Sequence, residues 1–247
     1  MKNILNNTYA LRPQAPALEL KQIDAGYGNA MILHQLSLCI RSGESVALLG
    51  KNGMGKSTLL KAIMGFIPKK HGSISIGGYD VTRDKAHKIA RYGMAYAAQE
   101  QPLFADLSVK NNLLLTLDNP STFDQLFARI AHLFPVFANR LDQYAGTLSG
   151  GEQKMLLVAR SLMTRPDIIM LDEITEGLQP SVINNIAQAL RWERKSRKTT
   201  MLIVEQNIDF ALKVSDRYCI LKQGQIIDHG QSLDANAKDH IYRHLMV

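Results

Sequence analysis

SVALLGKNGMGKST, residues 45–58, is the stretch on which the fold turns. Residues 46–49 read as a short buried strand, and from Lys56 to about Phe66 the pattern becomes helical. Between them Gly50, Gly55, Lys56 and Ser57 fit the spacing G-x-x-x-x-G-K-[ST]. A strand, a glycine-rich loop and a helix N-terminus in that order turn backbone N–H groups towards one point, where the helix dipole also favours an anion. Gly53 and Gly55 let the backbone approach phosphate closely. Lys56 is expected to reach the β- and γ-phosphate oxygens, and the Ser57 hydroxyl to coordinate Mg²⁺. Gly50, Lys51, Asn52, Gly53, Gly55, Lys56, Ser57 and Thr58 together form the expected cradle for ATP.

Outward from this loop, β-like runs at 18–23, 36–40 and 73–76 surround the first strand. A strand at 94–97 leads into a mostly helical stretch over 107–163, where Phe123, Leu126, Phe127, Ile130 and Leu133 make one apolar helical face. Strand 167–171, helix 181–196, strand 200–204, a short helix near 210–214 and strands at 217–221 and 225–228 follow, the last two joined by a turn at Gln223 and Gly224. Such alternation predicts an α/β fold with a largely parallel sheet and a helical insertion at about 99–163. Residues 1–17, interrupted by Pro13 and Pro16, read as an extension before a domain spanning 18–247.

A second site is expected at IIMLDE, residues 168–173, a buried-strand pattern that delivers Asp172 and Glu173 to the carboxyl end of the sheet. Alternation sends the two side chains different ways. Asp172 suits the Mg²⁺ shell, and Glu173 suits the orientation and polarisation of an attacking water.

LSGGEQ, residues 148–153, precedes the run KMLLVARSLMTRP and the acidic strand, and resembles the signature of the ABC ATPase family. The resemblance covers the chain from about Leu18 to the end. Ser149, Gly150 and Gly151 also make physical sense as a second set of donors at a helix N-terminus. The family resemblance implies a P-loop fold of ABC type, with an antiparallel β part beside the parallel core. It also implies a head-to-tail dimer in which this second set caps the γ-phosphate held by the partner's loop. It assigns Tyr27, in DAGYGNA, to adenine stacking, and Gln99, in AYAAQEQPLF, to a contact with Mg²⁺ and water that links the site to the helical insertion.

Gln206, in LIVEQN, stands where most family members carry a histidine beside the γ-phosphate. Glutamine can donate a hydrogen bond but carries no proton charge near neutral pH. GKNGMGKST, EGLQPS (176–181) and VEQN (204–207) are similar to the ATPase subunits of importers for branched-chain amino acids, amides and urea, with EGLQPS closest to the urea branch. Glu100 and Gln101 depart from a Gly-Arg pair expected after Gln99, and Ile174 and Gln179 depart from a proline and an aspartate. The implied partners are a second ATPase subunit, in a hetero- or homodimer, membrane permease subunits and, indirectly, an extracytoplasmic solute-binding protein.

Composition is that of a folded protein, with 46% hydrophobic and 21% charged residues. No apolar run approaches the roughly 18–20 residues needed to cross a bilayer, so the chain is expected to stay in the cytosol; the family resemblance implies that permeases hold it at the cytoplasmic face of the membrane. The formal charge of +7 is spread out, its densest run, RWERKSRK (191–198), reading as a solvated helix face, and no nucleic-acid partner is expected. Cys39 and Cys219 sit in apolar stretches and read as buried thiols. Two other readings remain open: a soluble ABC ATPase acting on nucleic acid or ribosomes, and a mainly regulatory ATP-binding subunit.

Overall fold

The computed structural model describes residues 12, 14–99 and 103–246. The expectations placed on residues 1–11, Pro13, Glu100 and Gln101 lie outside the described residues. In chain order the elements are β1 (Leu18–Tyr27), β2 (Ala30–Ile40), β3 (Ser45–Leu49), α1 (Lys56–Ile63), β4 (Lys69–Ile76), β5 (Tyr79–Asp80), α2 (Ala86–Ala90) and β6 (Met94–Ala97). They continue with α3 (Val109–Leu114), α4 (Phe123–Leu133), α5 (Gly150–Met163), β7 (Ile168–Asp172), α6 (Pro180–Arg197), β8 (Thr200–Glu205), α7 (Ile208–Val214), β9 (Arg217–Lys222), β10 (Gln225–Gln231) and α8 (Ala237–Met246).

Every residue of β3, β7 and β8 is buried, which is why these strands read as continuous apolar runs rather than as alternating ones. They form the centre of a six-stranded sheet ordered β10-β9-β3-β8-β7-β6, parallel except for the β9–β10 hairpin. Alternate side chains supply two cores. Val46, Leu48, Ile168, Met170, Leu202 and Val204 pack towards α1 and a separate antiparallel sheet ordered β2-β1-β4-β5. Ile169, Leu171, Met201 and Ile203 pack towards α4, α5 and α6. The expected apolar face of α4 is buried here through Phe123, Leu126, Ile130 and Leu133.

β1 and β2 run well past the segments 18–23 and 36–40 expected for them. Their pairing shifts register at several points, and Gln22 and Gln35 adopt positive φ, so a period of two is lost midway along each strand. The helix expected to reach Phe66 ends at Ile63, because Gly65 takes φ +70° and the amide of Phe66 donates back to the Lys61 carbonyl. Cys39 is a correction too: it is exposed on β2, whereas Cys219 is buried. An apolar neighbourhood in sequence does not say which face of a strand a residue takes.

The turn Gln223-Gly224 does more than reverse the chain. The amide of Gly224 donates to the carbonyl of Met54 in the phosphate loop at 3.0 Å, and its own carbonyl accepts from His34 on β2 at 3.1 Å. With φ +76° and the Ile32 carbonyl 1.9 Å from where a Cβ would stand, only glycine fits. The last hairpin thereby fixes the loop against the antiparallel sheet.

Candidate active site

Gly55, at φ +103°, caps α1 without a side-chain bond, and the first turn of that helix holds no acidic residue. The amides of its opening turn therefore remain as donors for an anion. Lys56 is buried at the centre. Its ammonium donates to the carbonyls of Gly50 (2.7 Å) and Lys51 (2.9 Å) and pairs with Glu173 Oε1 at 3.0 Å. The loop and the acidic strand thus meet on one amine.

Asp172 and Glu173 diverge as expected, but not by strand alternation alone. β7 ends at Asp172, and Glu173 adopts φ +47°, a left-handed turn that swings its carboxylate over Lys56. Asp172 accepts from the Ser57 hydroxyl at 3.1 Å through Oδ1 and from the Tyr96 hydroxyl at 3.0 Å through Oδ2. Burial pushes its pKa up, opposed by the Tyr96 and Ser57 bonds. The donor set suits Mg²⁺: bonds of about 2.0–2.1 Å at right angles put neighbouring oxygens about 3 Å apart, close to the Ser57–Asp172 spacing.

Gln206, at the end of β8, donates from Nε2 to Glu173 Oε2 at 2.8 Å and to Asn52 Oδ1 at 2.7 Å. It therefore bridges the acid to the phosphate loop. Gln99 lies apart from these contacts: its side-chain amide donates to Glu176 Oε2 at 2.7 Å, and its backbone carbonyl accepts from Lys154 on α5 at 3.3 Å. Tyr27 is 47% exposed at the tip of the β1–β2 hairpin, whose Ile32 and Leu33 flank Gly55. Ser149 caps α5 reciprocally with Glu152, its hydroxyl receiving the Glu152 amide while Glu152 Oε2 accepts from the Ser149 amide at 2.9 Å. Arg140 pairs with the same carboxylate at 2.8 Å. Gly150 is open to solvent and Gly151 rests against Val182 on α6.

Three contributors were not singled out from the sequence. Tyr96 orients Asp172, Glu176 holds Gln99, and Glu205 organises the turn beside Gln206. The Glu205 carboxylate accepts from the amide and hydroxyl of Thr175 (3.1 and 2.9 Å) and from the amide of Gln206 (3.2 Å). Burial nevertheless pushes its pKa up to about 6. The folded protein then holds a proton that the unfolded chain has lost, so this contribution to stability is complete below about pH 4.5 and fades as pH rises through about 6. Urea denaturation of the wild type and of Glu205→Gln across this range is expected to show their difference moving by about 2 kcal/mol against the wild type. A pH-independent difference would contradict it.

The model of the ABC transporter family matches residues 33–176. The high-affinity branched-chain amino acid transport ATP-binding protein BraG of Pseudomonas aeruginosa is 35% identical over 225 residues, 90% of this chain and 96% of that protein. The lipopolysaccharide export system ATP-binding protein LptB of Escherichia coli is 32% identical over 230 residues, 92% of this chain and 95% of that protein. Among solved structures, the ADP conformation of MJ1267, an ATP-binding cassette of an ABC transporter, superposes with a TM-score of 0.81 at 25% identity, covering 93% of this chain and 99% of that one. Taken with the convergence of the phosphate loop and the acidic strand on Lys56, this match places the chain in the ABC transporter family, as one of its ATP-binding, ATP-hydrolysing proteins.

Proposed function

We propose that this chain energises an importer of a small polar solute, as one of two ATPase subunits bound to membrane permeases. The observation that carries the ATPase side is the grip on Glu173, with Lys56 on one carboxylate oxygen and Gln206 on the other. A general base must be aimed before it can polarise a water, and these two partners aim it. In this reading ATP phosphates take up the amides of residues 50–58, and Lys56 exchanges its backbone and Glu173 contacts for phosphate oxygens. Ser57 and Asp172 would hold Mg²⁺, which would supply charge neutralisation at those oxygens, and Gln99 would join them on leaving Glu176. Tyr27 stacks on adenine.

Ser149 pairs with Glu152 at the start of α5, where Gly150 is exposed; the N–H groups of this helix start are the donor set offered to the nucleotide of a partner subunit. Residues 18–247 then act as one nucleotide-binding domain, with 99–163 as its helical insertion and 1–17 as an extension. Phe104, Leu115 and Tyr144 are large apolar side chains exposed around α3 and support docking of a permease there, beside Gln99. No helix among the described residues is long and apolar enough to cross a membrane, in keeping with peripheral attachment.

Likeness to BraG favours branched-chain amino acids as the solute, while EGLQPS keeps amides and urea in the group. Radiolabelled uptake in the native host tests this directly. Deleting the gene is expected to lower uptake of leucine, a short amide or urea, with recovery by the wild type and not by Lys56→Ala. Unchanged uptake of all three would overturn the importer reading and leave export, as in LptB, as the better account.

A further inference from the structure

On the far side of the fold from the helical insertion, α8 lies against the last hairpin, held by Ala237 and Ile241 in a small core with Tyr218 and Ile220. His240 and His244 are one turn apart on that helix and so share a face. Both aim Nε2 at the same oxygen, Asp228 Oδ2 on β10, at 3.1 and 2.7 Å. The two rings meet edge to face with centroids 5.1 Å apart. We propose that Asp228, His240 and His244 form a zinc-class metal site that fastens α8 to the β9–β10 hairpin.

Four observations support it. The three ligand atoms lie within 4.8 Å of one another, and a tetrahedral ion with bonds of about 2.0–2.1 Å sets its ligands about 3.3–3.4 Å apart, so modest side-chain rotation admits one. His240 already has the outer partner that metal-bound imidazoles use: Nδ1 lies 2.8 Å from the Tyr218 hydroxyl, which leaves Nε2 for an ion. That hydroxyl is accommodated by Gly230, where a Cβ would stand 2.4 Å from it. The side chains are about one-third exposed, so water can take a fourth position. Two imidazoles and one carboxylate favour Zn²⁺, Co²⁺ or Ni²⁺ over Mg²⁺, which keeps this site chemically distinct from the nucleotide's ion.

His244 also borders a cavity of about 230 Å³ whose other walls include Lys51 and Met54 of the phosphate loop and Leu221 of β9. An ion here would therefore stiffen the support under that loop.

Calorimetric titration of chelator-treated full-length protein tests the site. One Zn²⁺ per chain is expected, with a rise in melting temperature and, for Co²⁺, the visible absorption of a four-coordinate ion. Tyr218→Phe is expected to weaken zinc by about 10-fold or more, as loss of an outer partner does, and His244→Gln by more than that. Circular dichroism and retained MgATP binding check that each variant is folded. Absence of stoichiometric zinc on the wild type, equal affinity in an Asp228→Asn/His244→Gln variant, or displacement of the bound Zn²⁺ by millimolar Mg²⁺ would each overturn the proposal.

Discussion

Glu173→Gln is expected to bind ATP more tightly than the wild type while hydrolysing it about 10²–10⁴-fold more slowly, the usual contribution of a positioned general base. The two effects share one cause. In the proposed mechanism Glu173 polarises the water, and in the structure it is the counter-ion of Lys56, at 3.0 Å in a buried setting. On the proposed reading ATP draws Lys56 away from that carboxylate before the ammonium serves the phosphates. A neutral amide holds Lys56 less strongly, so the cation is freed for nucleotide at lower cost. Gln206 can still bond to the carbonyl oxygen of the new side chain, which keeps the geometry nearly intact. Equilibrium nucleotide binding and steady-state phosphate release measure both arms, and chromatography with ATP is expected to show a trapped dimer. Turnover within a few-fold of the wild type would remove Glu173 from its role, and weaker ATP binding would contradict the competition for Lys56. Negligible turnover by the wild type itself would instead favour a regulatory subunit.

Glu193→Ala is expected to destabilise the fold by about 3–5 kcal/mol, the range for breaking a buried ion pair by removing one partner. Glu193 is fully buried on α6. It pairs with Arg129 of α4, with Arg197 at 3.1 Å, and accepts from the Thr199 hydroxyl at 3.2 Å. Arg129 also donates to the Leu162 carbonyl of α5, so α4, α5 and α6 are joined through its guanidinium. Removing Glu193 leaves two guanidinium groups facing each other, and burial already pushes the Arg129 pKa down. In a chain of this size the loss corresponds to a fall in melting temperature on the order of 10 °C. Pairing the change with Arg129→Met is expected to recover part of it, because the unpaired buried charge goes too. A loss under about 1 kcal/mol would show the network to be solvated after all.

The centre of that network, Glu193, lies inside RWERKSRK, which reads in isolation as a solvated helix face. Only Arg191, Trp192, Lys195, Ser196 and Lys198 of the run are exposed. Composition could not reveal the exception, because the partner arginine comes from α4, far away in the chain. Cys39 is the converse case, an apolar-looking thiol that faces outward on β2.

What the sequence determined by itself was local: the phosphate loop between β3 and α1, the acid pair at the end of β7, the helix start at Ser149 and the glycine turn at 223–224; that Ser149 caps α5 through Glu152 emerged only from the structure. Each needs only a few neighbouring residues whose backbone preferences agree, so spacing is enough to find it. The tertiary structure decided what those pieces touch. Lys56 takes Glu173 as its counter-ion, Tyr96 orients Asp172, Gln206 joins Glu173 to Asn52, and the last turn reaches Met54. These contacts arise because parallel strand order sets β6, β7, β8 and β3 side by side and so brings their carboxyl ends together, a consequence of sheet pairing that no short run of residues encodes.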